Sequence, residues 1–207
     1  MDFFTNNLNF QDADGNTALI HASKNSSNSL KENLVKLLIE AGADLNIQNK
    51  YGDTALMAAL SNDESSENTV KMLIDAGADL NIQNKDGETA LMIASNDYDY
   101  YSSENTVKML IDAGADLNIK NINGATALML ASQFSFYSTK NTVKILIDAG
   151  ADLNIQNEEG DTALMIALKY STSFSTKTTV KMLIDAGADL NIEIEDGETA
   201  QELIRRS

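Results

Sequence analysis

The chain repeats one pattern along its whole length. A Gly-x-Thr-Ala motif occurs six times, and the intervals between its glycines are 37, 35, 37, 36 and 37 residues. These glycines are Gly15, Gly52, Gly87, Gly124, Gly160 and Gly197. Tandem units of this size bury their apolar surface mainly against neighbouring units, so the periodicity predicts a stacked repeat architecture.

Each unit carries the signals of two helices. Thr89 begins the first segment, where threonine is a favourable N-cap, and apolar residues follow at helical spacing. In the second segment Val107, Leu110 and Ile111 form one apolar stripe. Gly114 ends this helix, because glycine tolerates a positive φ angle past a C-terminus. We therefore expect two antiparallel helices in each unit, linked to the next pair by an alternating arm and a turn.

The recurring motifs identify a family. Gly-x-Thr-Ala-Leu resembles the Gly-x-Thr-Pro-Leu-His of ankyrin repeats, and Val-Lys-x-Leu-Ile-x-Ala-Gly-Ala-Asp-Leu-Asn resembles the second half of the same unit. The resemblance implies an all-α ankyrin-repeat solenoid of stacked antiparallel helix pairs with short β-like turns. It places the whole chain, 1–207, in one array, with an N-terminal half unit at 1–14, five full repeats at 15–196 and a C-terminal half repeat at 197–207. Phe3 and Phe4 are expected to cover the open N-terminal end.

The units depart from the family pattern in two informative ways. The family unit has 33 residues, so each unit of this chain is two to four residues longer. The distance from the Thr of the first helix to the Gly that ends the second helix varies in step with the unit length. The extra residues are therefore expected between the two helices. The family's histidine is replaced by Ile20, Met57, Met92, Met129, Met165 and Gln201. We expect apolar packing to replace the hydrogen bond that this histidine makes to the threonine.

Some polar residues of the repeat are expected to be structural. The aspartates after each helix exit should bond local backbone amides; they are Asp44, Asp79, Asp116, Asp152 and Asp189. Five lysines each precede an acid by four residues, a spacing typical of a solvated helix face. These lysines are Lys36, Lys71, Lys108, Lys144 and Lys181. His21 occupies a slot that holds Ala58, Ile93, Leu130 or Ile166 in other units, which predicts a partly exposed core position.

Composition excludes most catalytic mechanisms. The chain has no Cys and one His, so thiol nucleophiles, thiolate metal sites and His-based triads or zinc sites are absent. We expect no enzyme activity, no cofactor and no metal. No apolar run is long enough to span a bilayer, and the N-terminus lacks a signal-peptide pattern. The sequence predicts a soluble, cytoplasmic protein and leaves delivery to or expression in a host cell open.

The net charge indicates the kind of partner. Lys and Arg number 15 against 31 Asp and Glu, which gives −16. Such a field repels nucleic acid and membranes and attracts basic proteins. Together with the resemblance, it predicts a monomeric, non-catalytic protein-interaction module that presents an acidic concave surface to a basic protein or peptide. The alternative is a macromolecular inhibitor, or a nucleic-acid mimic that blocks a basic site.

Two sets of variable residues are candidates for binding that partner. The turn-tip candidates are Lys50, Tyr51, Asp53, Asp86, Glu88, Glu158, Glu159, Asp161, Glu195, Asp196 and Glu198. The last two tips carry six acids and no base, which predicts a cradle for Lys or Arg, although the acids could serve solubility alone. The aromatic candidates between the helices are Tyr100, Phe134, Phe136 and Tyr170. Their rings either extend the core or form an interface patch.

Overall fold

The protein is a stack of helix pairs. The computed structural model describes residues 8–24, 29–61, 66–96, 104–133, 139–170, 174–194 and 197–206, which contain eleven α-helices. These are α1 (Ala18–Ser23), α2 (Ser29–Glu40), α3 (Ala55–Leu60), α4 (Glu67–Asp75), α5 (Ala90–Ser95), α6 (Glu104–Asp112), α7 (Ala127–Gln133), α8 (Thr139–Asp148), α9 (Ala163–Lys169), α10 (Phe174–Asp185) and α11 (Ala200–Arg206). Each first helix packs on its own second helix and on the next first helix, and successive second helices also pack together. The predicted all-α solenoid is confirmed.

The first helix of each pair is capped and buried in the same way. Thr54 Oγ1 accepts a hydrogen bond from the backbone N–H of Met57 at 3.3 Å, and the threonines of the other full units make the same bond. In the five full units the side chain that replaces the family histidine lies in the core, where Met57 is 1% exposed. The expected replacement of a polar contact by apolar packing is confirmed in these units, whereas Gln201 of the last unit is exposed.

All five second helices end in one geometry. After α2, Gly42 has a φ of 84°, its N–H donates to Ile39, and the N–H of Ala43 donates to Leu38. This is the Schellman arrangement, which satisfies carbonyl groups that the helix end leaves free. The other exits repeat it. The exit is therefore unchanged by the differences in repeat length, as expected.

Polar side chains join the arm of each unit, which is the segment between the exit of the second helix and the next turn, to the arm of the following unit. Asp79 Oδ1 accepts a bond from the N–H of Asn81 at 2.9 Å, the local bond that the sequence predicts. Asn81 Oδ1 then accepts from the N–H of Asp116 in the following unit, also at 2.9 Å. Gln83 Nε2 donates both to the carbonyl of Gly87 in its own turn and to that of Lys120 in the next arm. These bonds set the register between neighbouring units.

Two expectations about charged residues need adjustment. Three of the five predicted lysine–acid pairs lie within 4 Å in the described residues, at Lys36, Lys71 and Lys144.

The prediction that His21 is a partly exposed core residue is wrong. Its ring is exposed and its Nε2 lies 2.7 Å from Asp12 Oδ2, because a carboxylate in the preceding turn offers a partner outside the core.

The expected N-terminal cap lies outside the described residues, because Phe3 and Phe4 belong to 1–7. Within the described segments, none of the helices has the length and apolar character needed to cross a bilayer.

The repeated turns predict a contrast between two glycines with the same φ of 84°. An alanine Cβ at Gly52 would lie 2.7 Å from the backbone nitrogen of Lys85, whereas a Cβ at Gly42 meets nothing within 4 Å. Gly42→Ala should cost about 1–2 kcal/mol through its left-handed conformation alone. Gly52→Ala should cost roughly 1–3 kcal/mol more, because two turn backbones must separate. Urea unfolding measures both; equal losses would contradict the close approach of the turns.

Candidate binding surface

The tips of the turns that precede the first helices are joined by backbone hydrogen bonds into one continuous edge. The N–H of Lys50 donates to the carbonyl of Asp14, and that of Lys85 donates to Tyr51, both at 2.9 Å. The same bond joins Ile122 to Asp86 and Glu158 to Asn123. Because the bonded groups are backbone atoms, the side chains of the tips are free to differ between units.

The structure divides the predicted tip residues into exposed and partly buried groups. Lys50, Tyr51, Asp86, Glu158 and Glu159 are exposed. Asp53 and Glu88 are half-buried at the base of their tips. Asn84 Nδ2 donates to Asp53 Oδ1 across the unit boundary at 3.2 Å. Asp53 is thus part of the contact between two units.

The expectation that Asp161 is an acid with no local base is wrong. Its side chain is 3% exposed, and Lys169 Nζ lies 2.6 and 2.7 Å from its two carboxylate oxygens. A buried carboxylate needs such a partner, because desolvation penalises an unpaired charge. Lys169 is the last residue of α9 and lies eight positions after Asp161. Its side chain reaches back to the tip that precedes the helix.

The final tip repeats this arrangement. Arg206, at the end of α11, is eight residues after Glu198 and pairs with its carboxylate. Glu195 and Asp196 lie outside the described residues. The predicted cradle of six unpaired acids is therefore corrected: two of the six are paired, and Glu158 and Glu159 are the exposed acids among the described ones.

A groove of about 380 Å³ lies beside Glu158 and Glu159. Its lining combines tip residues with residues of α7 and α9: Asn121, Asn123, Ala125, Met129, Leu130, Gln133, Asn157, Glu158, Glu159, Asp161, Ile166, Lys169 and Tyr170. Leu130 and Ile166 line the groove with a small exposed apolar area, at 9% and 7% exposure, while Glu158 and Glu159 contribute charge at the exposed tip. The groove thus offers apolar and acidic contacts to one ligand.

Tyr170 supplies an aromatic side chain to this groove. It follows α9 directly and is 48% exposed. Tyr100, Phe134 and Phe136, the other three aromatic candidates, lie outside the described residues. Tyr170 is thus the one aromatic candidate among the described residues, and an interface role for the aromatic set stays a prediction.

Sequence reasoning missed Lys169 as a partner of Asp161. The sequence does contain an indication of this pair, because the tip acid and the base at the end of the first helix are eight residues apart. The same spacing recurs at Glu198 and Arg206. Within the described residues, no three His, Asp or Glu side chains converge as metal ligands do.

Burial also changes the acidity of a tip residue. The pKa of Glu88 is raised above its ordinary value, chiefly by desolvation, with smaller contributions from the charges of Asp86 and Asp53. A hydrogen bond with Asn84 opposes the shift. The folded protein therefore retains the proton of Glu88 to a higher pH than the unfolded chain does.

This shift predicts a pH-dependent cost of ionising Glu88. With a folded pKa above the unfolded value of 4.5, stability falls as the pH rises through the interval between the two values. Glu88→Gln should raise Tm slightly at pH 7 and leave it unchanged at pH 4. Glu158→Gln removes the same charge from an exposed site and is the control. Equal effects of the two substitutions at pH 7 in thermal unfolding would contradict the assignment.

Comparison with known proteins agrees with this architecture. The family profile for ankyrin repeats (three copies) matches residues 2–84, 28–121, 65–157 and 99–194. The crystal structure of an ankyrin repeat domain from Acinetobacter baumannii AYE is similar, with a TM-score of 0.79 and 29% sequence identity. The similarity covers 91% of this chain and 90% of that one. No curated protein sequence matches significantly. From the family profile and the stacked helix pairs, the chain belongs to the ankyrin-repeat family.

Proposed function

We propose that the protein is a non-catalytic binding module whose groove between α7 and α9 takes a basic segment of another protein. The observation that carries this proposal is the position of Glu158 and Glu159 beside the apolar surface of Leu130 and Ile166, with Tyr170 in the same lining. Ankyrin repeats generally mediate protein–protein interactions, which supports this class of function.

The charge of the groove favours a cationic ligand. Lys169 is the lysine in the groove lining, and its amine is engaged by the buried carboxylate of Asp161. This pair contributes little net charge, so Glu158 and Glu159 set the sign of the local field. A segment with Lys or Arg next to an aliphatic or aromatic side chain would satisfy both parts of the groove.

The tips give less support to a nucleic-acid mimic. A mimic requires a continuous row of negative charge, comparable to a phosphate backbone. The exposed tip residues instead include Lys50, Lys85, Tyr51 and Ile122 between the acids. Positive and apolar side chains interrupt the row, so local recognition of a protein segment fits this surface better.

The proposal is tested with a partner captured by affinity purification. Glu158→Gln with Glu159→Gln should slow association, weaken binding by roughly 2- to 30-fold and flatten its salt dependence, since each exposed pair contributes roughly 0.2–1 kcal/mol. Tyr170→Ser should speed dissociation. Asp161 is left unchanged because its carboxylate is buried.

The matched control removes two charges from the second helices. Asp112→Asn with Asp185→Asn changes exposed acids at the ends of α6 and α10, outside the groove lining. Equal loss of binding in this control would show a general charge effect and refute the groove. Competition by duplex DNA for the same partner site would instead favour the mimic.

A further inference from the structure

One asparagine in the wall of the groove carries an amide nitrogen that the fold does not use. Asn157 Oδ1 accepts hydrogen bonds from the backbone N–H groups of Glu159 and Asp161, at 3.0 and 2.8 Å. Because an amide oxygen accepts and an amide nitrogen donates, these two bonds identify the oxygen and fix the orientation of the group. The nitrogen, Nδ2, therefore points away from its own turn.

The equivalent nitrogen is bonded at the first two boundaries between units. Asn49 Nδ2 donates to Asn16 Oδ1 at 3.0 Å, and Asn84 Nδ2 donates to Asp53 Oδ1 at 3.2 Å. In both cases the acceptor is the residue that follows the turn glycine of the preceding unit. The oxygens of these two asparagines hold their own turns through the same pair of backbone bonds as in Asn157. Asn157 Nδ2 therefore points in the same direction, toward the preceding unit.

Ala125 removes the acceptor at the boundary where the groove lies. The other units have a side-chain oxygen at the equivalent position: Asn16, Asp53, Glu88, Asp161 and Glu198. The two turns still approach closely, since a Cβ on Gly124 would lie 3.0 Å from Asn157 Cα. Within the part of the chain that the structure describes, no residue accepts a hydrogen bond from Asn157 Nδ2. Ala125 and Asn157 both line the groove, so this donor is available to a ligand.

The surroundings of the donor define the group that it can bind. A ligand carboxylate is disfavoured because Glu158 and Glu159 belong to the same lining and repel it. A main-chain carbonyl is neutral, and a protein segment that enters the groove has to satisfy the carbonyls that become covered. A helical segment bonds most of its carbonyls internally, so a free carbonyl acceptor indicates an extended segment.

We propose that Asn157 Nδ2 donates a hydrogen bond to a main-chain carbonyl of an extended segment bound in the groove. This inference rests on the proposed function, because it states how the same basic segment is held. Glu158 and Glu159 attract the charge of the segment, Leu130 and Ile166 contact its apolar side chains, and Asn157 selects its conformation.

The test uses a probe whose oxygen atoms all belong to main-chain or terminal amide carbonyls. The peptide acetyl-Lys-Leu-Lys-Leu-Lys-amide meets this condition. Its lysines match Glu158 and Glu159, its leucines match the apolar part of the groove, and no side chain offers a competing acceptor. Its dissociation constant is measured with the full chain by calorimetry.

Three substitutions each add one carboxylate to the groove lining and differ in what they do to the donor. Asn157→Asp keeps the oxygen that bonds Glu159 and Asp161 and removes the donor. Ala125→Asp restores the acceptor found in the other units and engages the donor. Asn123→Asp adds its charge at an exposed position of the same lining and leaves the donor unaltered.

The inference predicts opposite signs for these variants. Asn123→Asp should tighten peptide binding about 1.4- to 5-fold through its charge. Asn157→Asp and Ala125→Asp should each weaken it by roughly threefold or more, because the main-chain carbonyl then has no donor. Tighter binding in all three variants would show that charge alone holds the peptide; the inference would then fail and the proposed function would stand. Thermal unfolding confirms that each variant is folded.

A second measurement leaves the groove unchanged. When the peptide is added to the wild-type protein, the side-chain amide protons of Asn157 should shift downfield in heteronuclear NMR spectra as the hydrogen bond forms. Those of Asn84, which already donates to Asp53, are the control and should not move. Unmoved Asn157 signals would refute the inference. Failure of the wild-type protein to bind the peptide would also refute it, whereas the proposed function is decided separately by the captured partner.

Discussion

The hydrogen bonds between successive arms are the interaction on which the rest of the structure depends. Asn81 Oδ1 and Gln83 Nε2 both bond backbone groups of the following unit. Apolar stacking of the helices is non-directional and would tolerate small displacements. Bonds of about 2.9 Å to particular backbone atoms do not, so they determine how one unit sits on the next. The close approach of the turn backbones, as at Gly52 and Lys85, follows from that register.

This division of roles leaves the tips available for recognition. The repeated Asn, Asp and Gln side chains are occupied with the backbone, so the proposed recognition falls on the tip residues that differ between units. At the groove, Asp161 is buried and forms an ion pair with Lys169, while Glu158 and Glu159 are exposed. A single scaffold thus presents a different combination of charge and apolar surface at each position along the stack.

The features that sequence predicted correctly are those set by local pattern. The threonine caps, the apolar stripes and the glycine exits depend on neighbouring residues within one unit, and the structure contains them. Asp161 and His21 were interpreted wrongly because their environment depends on how a turn and the following helix face each other. Asp161 and Lys169 are eight residues apart, and Asp12 and His21 are nine residues apart. Each pair joins a turn to the helix that follows it, so the periodicity of a single helix or strand does not predict the contact. The charge of Asp53, in the preceding unit, likewise contributes to the raised pKa of Glu88.

The most direct test of the inter-repeat bonds compares two equivalent asparagines. Asn118 Oδ1 accepts from the N–H of Asp152 in the next unit at 2.9 Å, whereas Asn191 is in the last arm and bonds Asp189 of its own unit. Urea unfolding of Asn118→Ala should show a loss about 1 kcal/mol greater than that of Asn191→Ala, because only the first change leaves a backbone donor of the next unit without its partner. Equal losses would contradict the claim that these bonds hold the stack in register.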